Sequence, residues 1–532
     1  MGMGKEKIDF IKNALLCVFL LLSYFALAYK NPFKQNNLIS NLEPFPDTFY
    51  YSVPSWNWLH GDGFKMAYEG MEINKDVPPL YGIYLLPFFK IFNDVRSYYF
   101  ANLLLCFGSF FLFIRLVVKF FEKSKIKWWI GGLTGLILVT NFYFYNLPTL
   151  MMAENLQIVL ILATINVLFE KFTVKSFVLS LVLGLLMFFS KMSNLPVIAC
   201  LIMWNFVKII QTKFWKTYNW KINFMIFGLL GALAFYIFWN YIYANRGAII
   251  NGSSWFSPQF FKKFFPIYLS EFLGKNGHYL WYFNQQIENI AGYLALLGIV
   301  IGLFWNKYRE KTLISLSVIL AMVVFHSFLY FPEGRYISVV IPLYIIFIGL
   351  IPELLSKIKL GLISVIVIVF LYLGIKQNIN GFVERKATSL KRQILNNQLE
   401  NNEVAWDYLA IKNYNDFFKE KDENNYLGCL LPPFNFMFFG NDNYKYLPIS
   451  YQQEFGEYRG LLTQLYKGEL LDYYEKLLKE GKNVYITNYF LKNNPSLWPI
   501  EIEKIFSRFN SKEVADGCLG ICKIYKLELK KR

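Results

Sequence analysis

The sequence predicts an α-helical polytopic membrane protein of about eleven spans, followed by a C-terminal soluble α/β domain. Three observations predict it. Of 532 residues, 55% are hydrophobic, 20% aromatic and only 17% charged, with a mean hydropathy of +0.33. That is more apolar surface than a soluble core of this size buries, so lipid must cover the rest. Lys and Arg concentrate in every second loop between apolar runs, which is the signature of membrane orientation. Beyond residue 376 the composition becomes polar and strand-like pieces appear. The sequence therefore divides into a transmembrane part, 1–376, and a soluble part, 377–532.

The first apolar run follows Lys5, Lys7 and Lys12 and ends at Tyr29. It is long and no small-x-small cleavage site follows it, so it reads as an anchored first helix with a cytoplasmic N-terminus. Further candidate spans lie near 97–118, 128–147, 149–169, 176–193, 195–211, 222–243, 289–305, 312–331, 335–351 and 360–376. The alternate loops carry Lys119, Lys123, Lys125 and Lys127; Lys171 and Lys175; Lys213, Lys216 and Lys221; Lys307, Arg309 and Lys311; and Lys357 and Lys359. The opposite loops near 148 and 194 have almost none. This pattern places the N-terminus inside, the C-terminal domain outside, and the whole in the cell (inner) membrane as a multi-pass protein.

Two segments on the expected outer side are long, 31–96 and 244–288. Loops of that length usually carry function. Within the first, Val77–Phe92 is apolar but punctuated by Pro78, Pro79 and Pro87, and reads as a helix lying at the membrane surface. In the tail, Asn424–Pro433, Lys445–Ser450, Asn483–Phe490 and Gly520–Leu529 read as strands, and Glu469–Asn483 as an amphipathic helix stopped by Gly481.

The formal charge of +17 would suggest nucleic acid in a soluble chain. Here the basic residues sit in loops between spans, where they set topology and meet anionic headgroups of membrane lipids. No nucleic acid is expected. Cys17, Cys106 and Cys200 lie in apolar runs and read as small hydrophobes. Cys429, Cys518 and Cys522 lie in the tail, where a disulfide is possible if the tail is outside.

Acids are rare near the spans, so each is weighed singly. Asp47, early in the first long loop among prolines and aromatics, is either a general base for an acceptor hydroxyl or the cap of a helix starting at Thr48. Glu43, Asp62, Glu69 and Glu72 compete for the acidic role, and Gly61 and Gly63 around Asp62 read as a turn. Glu154 lies at the outer start of a span, where the helix dipole alone would favour it. Four cations share that side: Lys75, Lys191, Arg246 and Arg335. Each reads as an anchor reaching for the headgroups or as one ligand of a phosphate. Arg335, in the turn Glu333–Tyr336, is the strongest of them. His60, His278 and His326 are too scattered for a metal site, and no glycine loop cradles a nucleotide phosphate.

The order of these pieces resembles the GT-C glycosyltransferases, within them the protein O-mannosyltransferase and lipid A aminoarabinose transferase group. Pro46–Phe64, Val77–Phe92 and Glu333–Ile346 carry the resemblance, which covers roughly 1–376. It implies an inverting hexosyl or pentosyl transferase that uses a polyprenyl-phosphate sugar donor and a glycan, lipid or protein acceptor. It also implies catalytic roles for Asp47 and Glu154, and donor-phosphate binding by Arg335 and Tyr336, with Lys191, Lys75 and Arg246. Two positions depart from the pattern: Thr48 stands where many relatives have a second acid, and Val77 stands where some have Lys. No cofactor is required, and a divalent metal, though compatible, is not indicated. A transporter or flippase of lipid-linked saccharides, a polysaccharide polymerase or ligase, and a glycan receptor are the alternatives.

Overall fold

The protein is described by a computed structural model covering residues 5–29, 31–33, 47–68, 71–72, 77–212, 257–274, 287–329, 334–357, 362–392, 406–420, 422–429, 433–448, 470–487, 499–516 and 523–530. The chain separates into two compact units. The first contains residues 1–29, 76–84 and 100–388, and the second contains 30–75, 85–99 and 389–532.

The first unit is helical. Among the described residues, Val95–Phe120, Met192–Thr212, Arg309–Ser327 and Ser364–Glu384 are each long and apolar enough to cross a bilayer. Lys127–Val139 and Tyr143–Thr149 make one further candidate, bent by 62°. Six shorter apolar helices accompany them: Ala14–Ala28, Leu80–Phe92, Glu154–Leu168, Val174–Ser190, Asn289–Phe304 and Ile341–Leu355. Five of these shorter helices, all but Leu80–Phe92, and the bent pair fall on expected spans. Expected span 335–351 is cut into Arg335–Ser338, Ile341–Ile346, Phe347–Gly349 and Leu350–Leu355. Expected span 222–243 lies outside the described residues.

Exposure shows which faces need lipid. Leu15, Phe19, Leu22, Ile202, Phe206 and Phe304 all stand open, and Phe304 is 85% exposed. Apolar side chains in such rows meet no protein partner and are stable only against acyl chains. The chain is a polytopic membrane protein with a C-terminal domain. Helices approach closely through small residues: a Cβ on Gly298 would collide with the Phe347 carbonyl, and one on Gly292 with that of Phe272.

At one end of this unit the Lys-rich loops are knitted together. The Glu353 carboxylate is fully buried; it accepts from Lys307 Nζ at 3.0 Å, from the Tyr308 hydroxyl at 2.8 Å and from the Ser124 hydroxyl. Glu170 takes Lys119 at 2.5 Å and Arg115 at 3.1 Å. Cutting one side of a buried pair leaves the partner charge unpaired. Glu353→Ala is thus expected to destabilise the folded protein by about 3 kcal/mol, read as a lower unfolding midpoint in detergent. An unchanged midpoint would show that Lys307 and Tyr308 find water instead.

The C-terminal part of the second unit is a five-stranded sheet. β1 (Ala67–Tyr68) and β2 (Met71–Glu72) form a separate two-residue ladder in the first long loop. The sheet strands are β3 (Asn425–Cys429), β4 (Lys445–Pro448), β5 (Asn483–Thr487), β6 (Phe509–Ala515) and β7 (Ile524–Leu529), in the order β4-β3-β5-β7-β6. β3 runs parallel to β4 and β5, with Leu427 opposite both Tyr446 and Tyr485. Parallel neighbours demand crossovers, and the helices Pro433–Phe439 and Leu470–Lys479 supply them. Strand alternation sends Leu427, Cys429 and Tyr446 into a core with Tyr414 and Phe436. Leu447, Val484 and Ile486 enter a second core with Tyr474 and Ile505. Four of these strands match the sequence reading; β6 and the helices Trp406–Phe417, Pro433–Phe439 and Pro499–Arg508 do not appear in it. Cys429 is buried in the sheet core; Cys518 and Cys522 lie outside the described residues.

The first long loop belongs to this second unit except for residues 76–84. It contains the helix Asp47–Leu59, whose Phe49 ring lies 5.4 Å from that of Phe434 and whose Trp56 meets Phe438 edge-on at 5.7 Å. The Asn57 amide closes the loop by donating to the carbonyls of Lys65, at 3.0 Å, and Ala67, at 2.9 Å. Gly61 and Gly63 have φ of 93° and 83°, the left-handed values that the turn around Asp62 requires.

Candidate functional site

Four of the seven candidate residues converge in the first unit, each at a helix end. Glu154 is the first residue of the helix Glu154–Leu168. That end is held by Asn155, whose amide donates to the carbonyls of Leu147 and Leu150 at 3.1 and 3.0 Å, tying the helix to the short Pro148 turn before it. A carboxylate there faces the unpaired N–H groups of the first turn.

Lys191 follows directly on Val174–Ser190, where the backbone leaves the helix in an extended conformation. The exit is braced from the neighbouring helix. Gln157 donates to Asn194 Oδ1 at 2.7 Å and to Ser193 Oγ at 2.9 Å. Asn194 in turn donates to the Met187 carbonyl at 2.9 Å. A cation just past a helix C-terminus is favoured by the same dipole that favours Glu154.

Lys191 Nζ donates to Glu154 Oε1 at 2.5 Å. Arg335 Nε stands 3.8 Å from the same oxygen, and its Nη1 lies 3.3 Å from Met152 Sδ. The carboxylate is 1% exposed, the arginine side chain 6% and the lysine side chain 15%. Glu154 Oε2 has no hydrogen-bond partner among the described residues. Both cations lie over the ring of Tyr336, at 5.3 Å for Lys191 and 5.4 Å for Arg335. Two cations and one carboxylate thus share a nearly dry space behind one aromatic face, where charge is worth more than in water.

Three further residues join them. His326, in the last turn of Arg309–Ser327, stacks on Tyr336 with ring centres 5.1 Å apart. Its Nδ1 lies 2.8 Å from the Met322 carbonyl, so Nδ1 carries the proton and donates. Its Nε2 is buried and has no partner among the described residues. Tyr143, fully buried on the helix Phe142–Asn146, sets its hydroxyl beside Ser338, Glu154 and Arg335. The sequence reading weighed His326 only as a metal ligand; the signal that would have found it is an ionisable residue inside an apolar helix. Tyr143 and Ser338 carried no such signal.

Asp47 is the first residue of the helix Asp47–Leu59 in the second unit, one position before the start expected at Thr48, and its side chain lies outside the described residues. Lys75 and Arg246 lie outside them altogether.

The sequence matches no protein-family profile and no curated protein. The fold does have solved counterparts. ArnT from Cupriavidus metallidurans in its apo state superimposes with a TM-score of 0.58 at 11% identity, over 98% of each chain. The chain shares the fold of that ArnT. The structure of the same ArnT bound to undecaprenyl phosphate matches with a TM-score of 0.56 at 12% identity, over 96% of this chain and 97% of that one. The Archaeoglobus fulgidus oligosaccharyltransferase tethered to an acceptor peptide aligns at 0.46 and 9% identity, over 98% of this chain and 74% of its own. The likeness to ArnT takes in the C-terminal domain, because it runs through nearly the full length of both chains.

Proposed function

We propose that this chain is an inverting glycosyltransferase that moves a sugar from a polyprenyl-phosphate donor to an acceptor at the outer face of the membrane. One observation carries the reading. The Lys191 ammonium has three donors, yet among the described residues only Glu154 accepts from it. An ammonium this poorly hydrated is stable when a further acceptor arrives. A lipid phosphate is such an acceptor, and Arg335 stands beside it with a planar fork suited to phosphate oxygens. The ArnT of the same fold binds undecaprenyl phosphate, which supports the choice of ligand.

The residues then divide the work. As the bond between the anomeric carbon and phosphate breaks, the sugar gains oxocarbenium character and the phosphate gains charge. Lys191 and Arg335 stabilise that charge, so no protonated acid is needed for the leaving group. Asp47, in the role the resemblance implies for it, takes the proton of the acceptor hydroxyl in an inverting attack. Glu154 holds the two cations in place and keeps Oε2 for a sugar hydroxyl. The alternating Lys loops of the sequence support an outer side for this chemistry. A transporter would set its charged groups near the midplane of paired repeats. Here Glu154, Lys191, His326 and Arg335 all sit at helix ends.

Binding of undecaprenyl phosphate to the purified protein tests this. Lys191→Ala is expected to weaken it roughly tenfold, the loss of one charge-assisted hydrogen bond. Equal affinity in wild type and variant would end the phosphate role of this cluster.

A further inference from the structure

A cavity of about 630 Å³ lies within the second unit, remote in sequence from the Glu154 cluster. Its walls come from the end of the first-loop helix and the turn after it, and from β4 with the segment that leads into it. Its floor is apolar, made by Phe436, Tyr444 and Tyr446. The tyrosine hydroxyls are turned away: Tyr444 donates to Asn415 Oδ1 at 2.9 Å and Tyr446 to the Cys429 carbonyl at 3.4 Å. The rings are therefore held rigidly and offer carbon to the cavity. The exposed lining residues are Asp62, Glu423 and Asp442 with Lys65 and Lys445, the last with its ammonium 5.7 Å from the centre of the Tyr426 ring.

None of these three carboxylates is ion-paired among the described residues, although two lysines line the same space. The turn between floor and rim is set in advance, because Asn443 donates its backbone N–H to Asn441 Oδ1 at 3.1 Å and its amide to the Phe418 carbonyl at 2.7 Å. Three carboxylates and two ammoniums sum to a single negative charge. Such a rim repels a polyphosphorylated ligand and suits a neutral one rich in hydroxyls. Carboxylates accept from vicinal hydroxyls, ammoniums donate to them, and the carbon face of a sugar ring covers an apolar floor.

We infer that this cavity binds a neutral oligosaccharide, the acceptor of the transfer. The inference rests on the transferase reading for the word acceptor, and on the cavity alone for the ligand class. The first-loop helix relates the two. It runs from Asp47 to Asn57 in the cavity wall, a rise of ~15 Å. A single sugar in the cavity does not reach Asp47. A chain of several sugars does, with one end seated on Tyr444 and Tyr446 and the other presenting its hydroxyl.

The test is direct binding to the full-length protein in detergent without any donor. Chitotetraose, maltotetraose and mannotetraose serve as neutral probes, and a heparin tetrasaccharide as the polyanionic one. At least one neutral probe is expected to bind. Asp62→Asn combined with Asp442→Asn, both at exposed positions, is expected to weaken it about tenfold or more. Binding of the heparin probe alone, binding of no neutral probe, or equal binding by the double variant would each overturn the inference. Those outcomes leave the transferase reading standing. That reading fails instead if the wild-type protein transfers no sugar from a polyprenyl-phosphate donor, which says nothing against the cavity.

Discussion

Asp47→Asn is expected to lower sugar transfer by roughly 10²–10⁴-fold, the usual contribution of a positioned general base. The substitution is informative because Asp47 has two readings. As the first residue of Asp47–Leu59 it stands where a side chain caps a helix. Asn caps about as well as Asp, so a purely structural Asp47 survives the change almost intact. Asn cannot take a proton from an acceptor hydroxyl, so a catalytic Asp47 does not. Asp47→Ala removes both functions and is expected to cost about 1 kcal/mol of stability besides. Turnover measured with a polyprenyl-phosphate donor, beside the unfolding midpoint in detergent, separates the two. Full turnover in Asp47→Asn would confine the residue to capping.

The second large effect is expected at Arg335. Arg335→Ala should weaken undecaprenyl phosphate binding by roughly ten- to a hundredfold, as loss of a charged hydrogen-bonding partner does. Arg335→Lys should recover only part of it, because an ammonium cannot reproduce the fork. A structural complication follows from the geometry. Arg335 is 5% exposed, lies near Glu154 and covers Tyr336, so truncation also disturbs a buried charge cluster. Combining Arg335→Ala with Glu154→Gln removes one charge of each sign. Stability should then return while phosphate affinity stays low. Recovery of both would mean that Arg335 serves only to neutralise Glu154.

The candidate site was half legible. Glu154, Lys191 and Arg335 are separated by up to 181 positions, from 154 to 335, yet each announced itself as a charged residue at the edge of an apolar run. That signal arises because burying a charge is costly, so a chain retains one there only with a partner or a task. Their meeting around Tyr336 was not legible. Nor were Tyr143 and Ser338, since aromatic and hydroxyl residues occur in apolar helices for packing alone. His326 was visible, but its stacking on Tyr336 and its bare Nε2 depend on a neighbour ten positions on, after a break in the helix.

The cavity shows the same limit more sharply. Asp62 and Asp442 lie 380 residues apart, 442 − 62, in segments with no shared pattern. Only the packing of Phe49 and Trp56 on the helix Pro433–Phe439 brings the first loop to the sheet edge. Strand β6 escaped for a related reason. Phe509–Ala515 is mostly exposed and charged, so it lacks the alternation that marks a half-buried strand and is recruited by pairing with β7.

By itself, then, the sequence determined the solvent. Apolar runs long enough to need lipid, the polar tail, and the loops that carry Lys follow from composition and order, because transfer free energies add along a chain. The tertiary structure alone decided which helices break and which charges meet. Those outcomes depend on side chains far apart in sequence competing for the same space, where Glu154 settles between Lys191 and Arg335 because neither charge is stable there without the other.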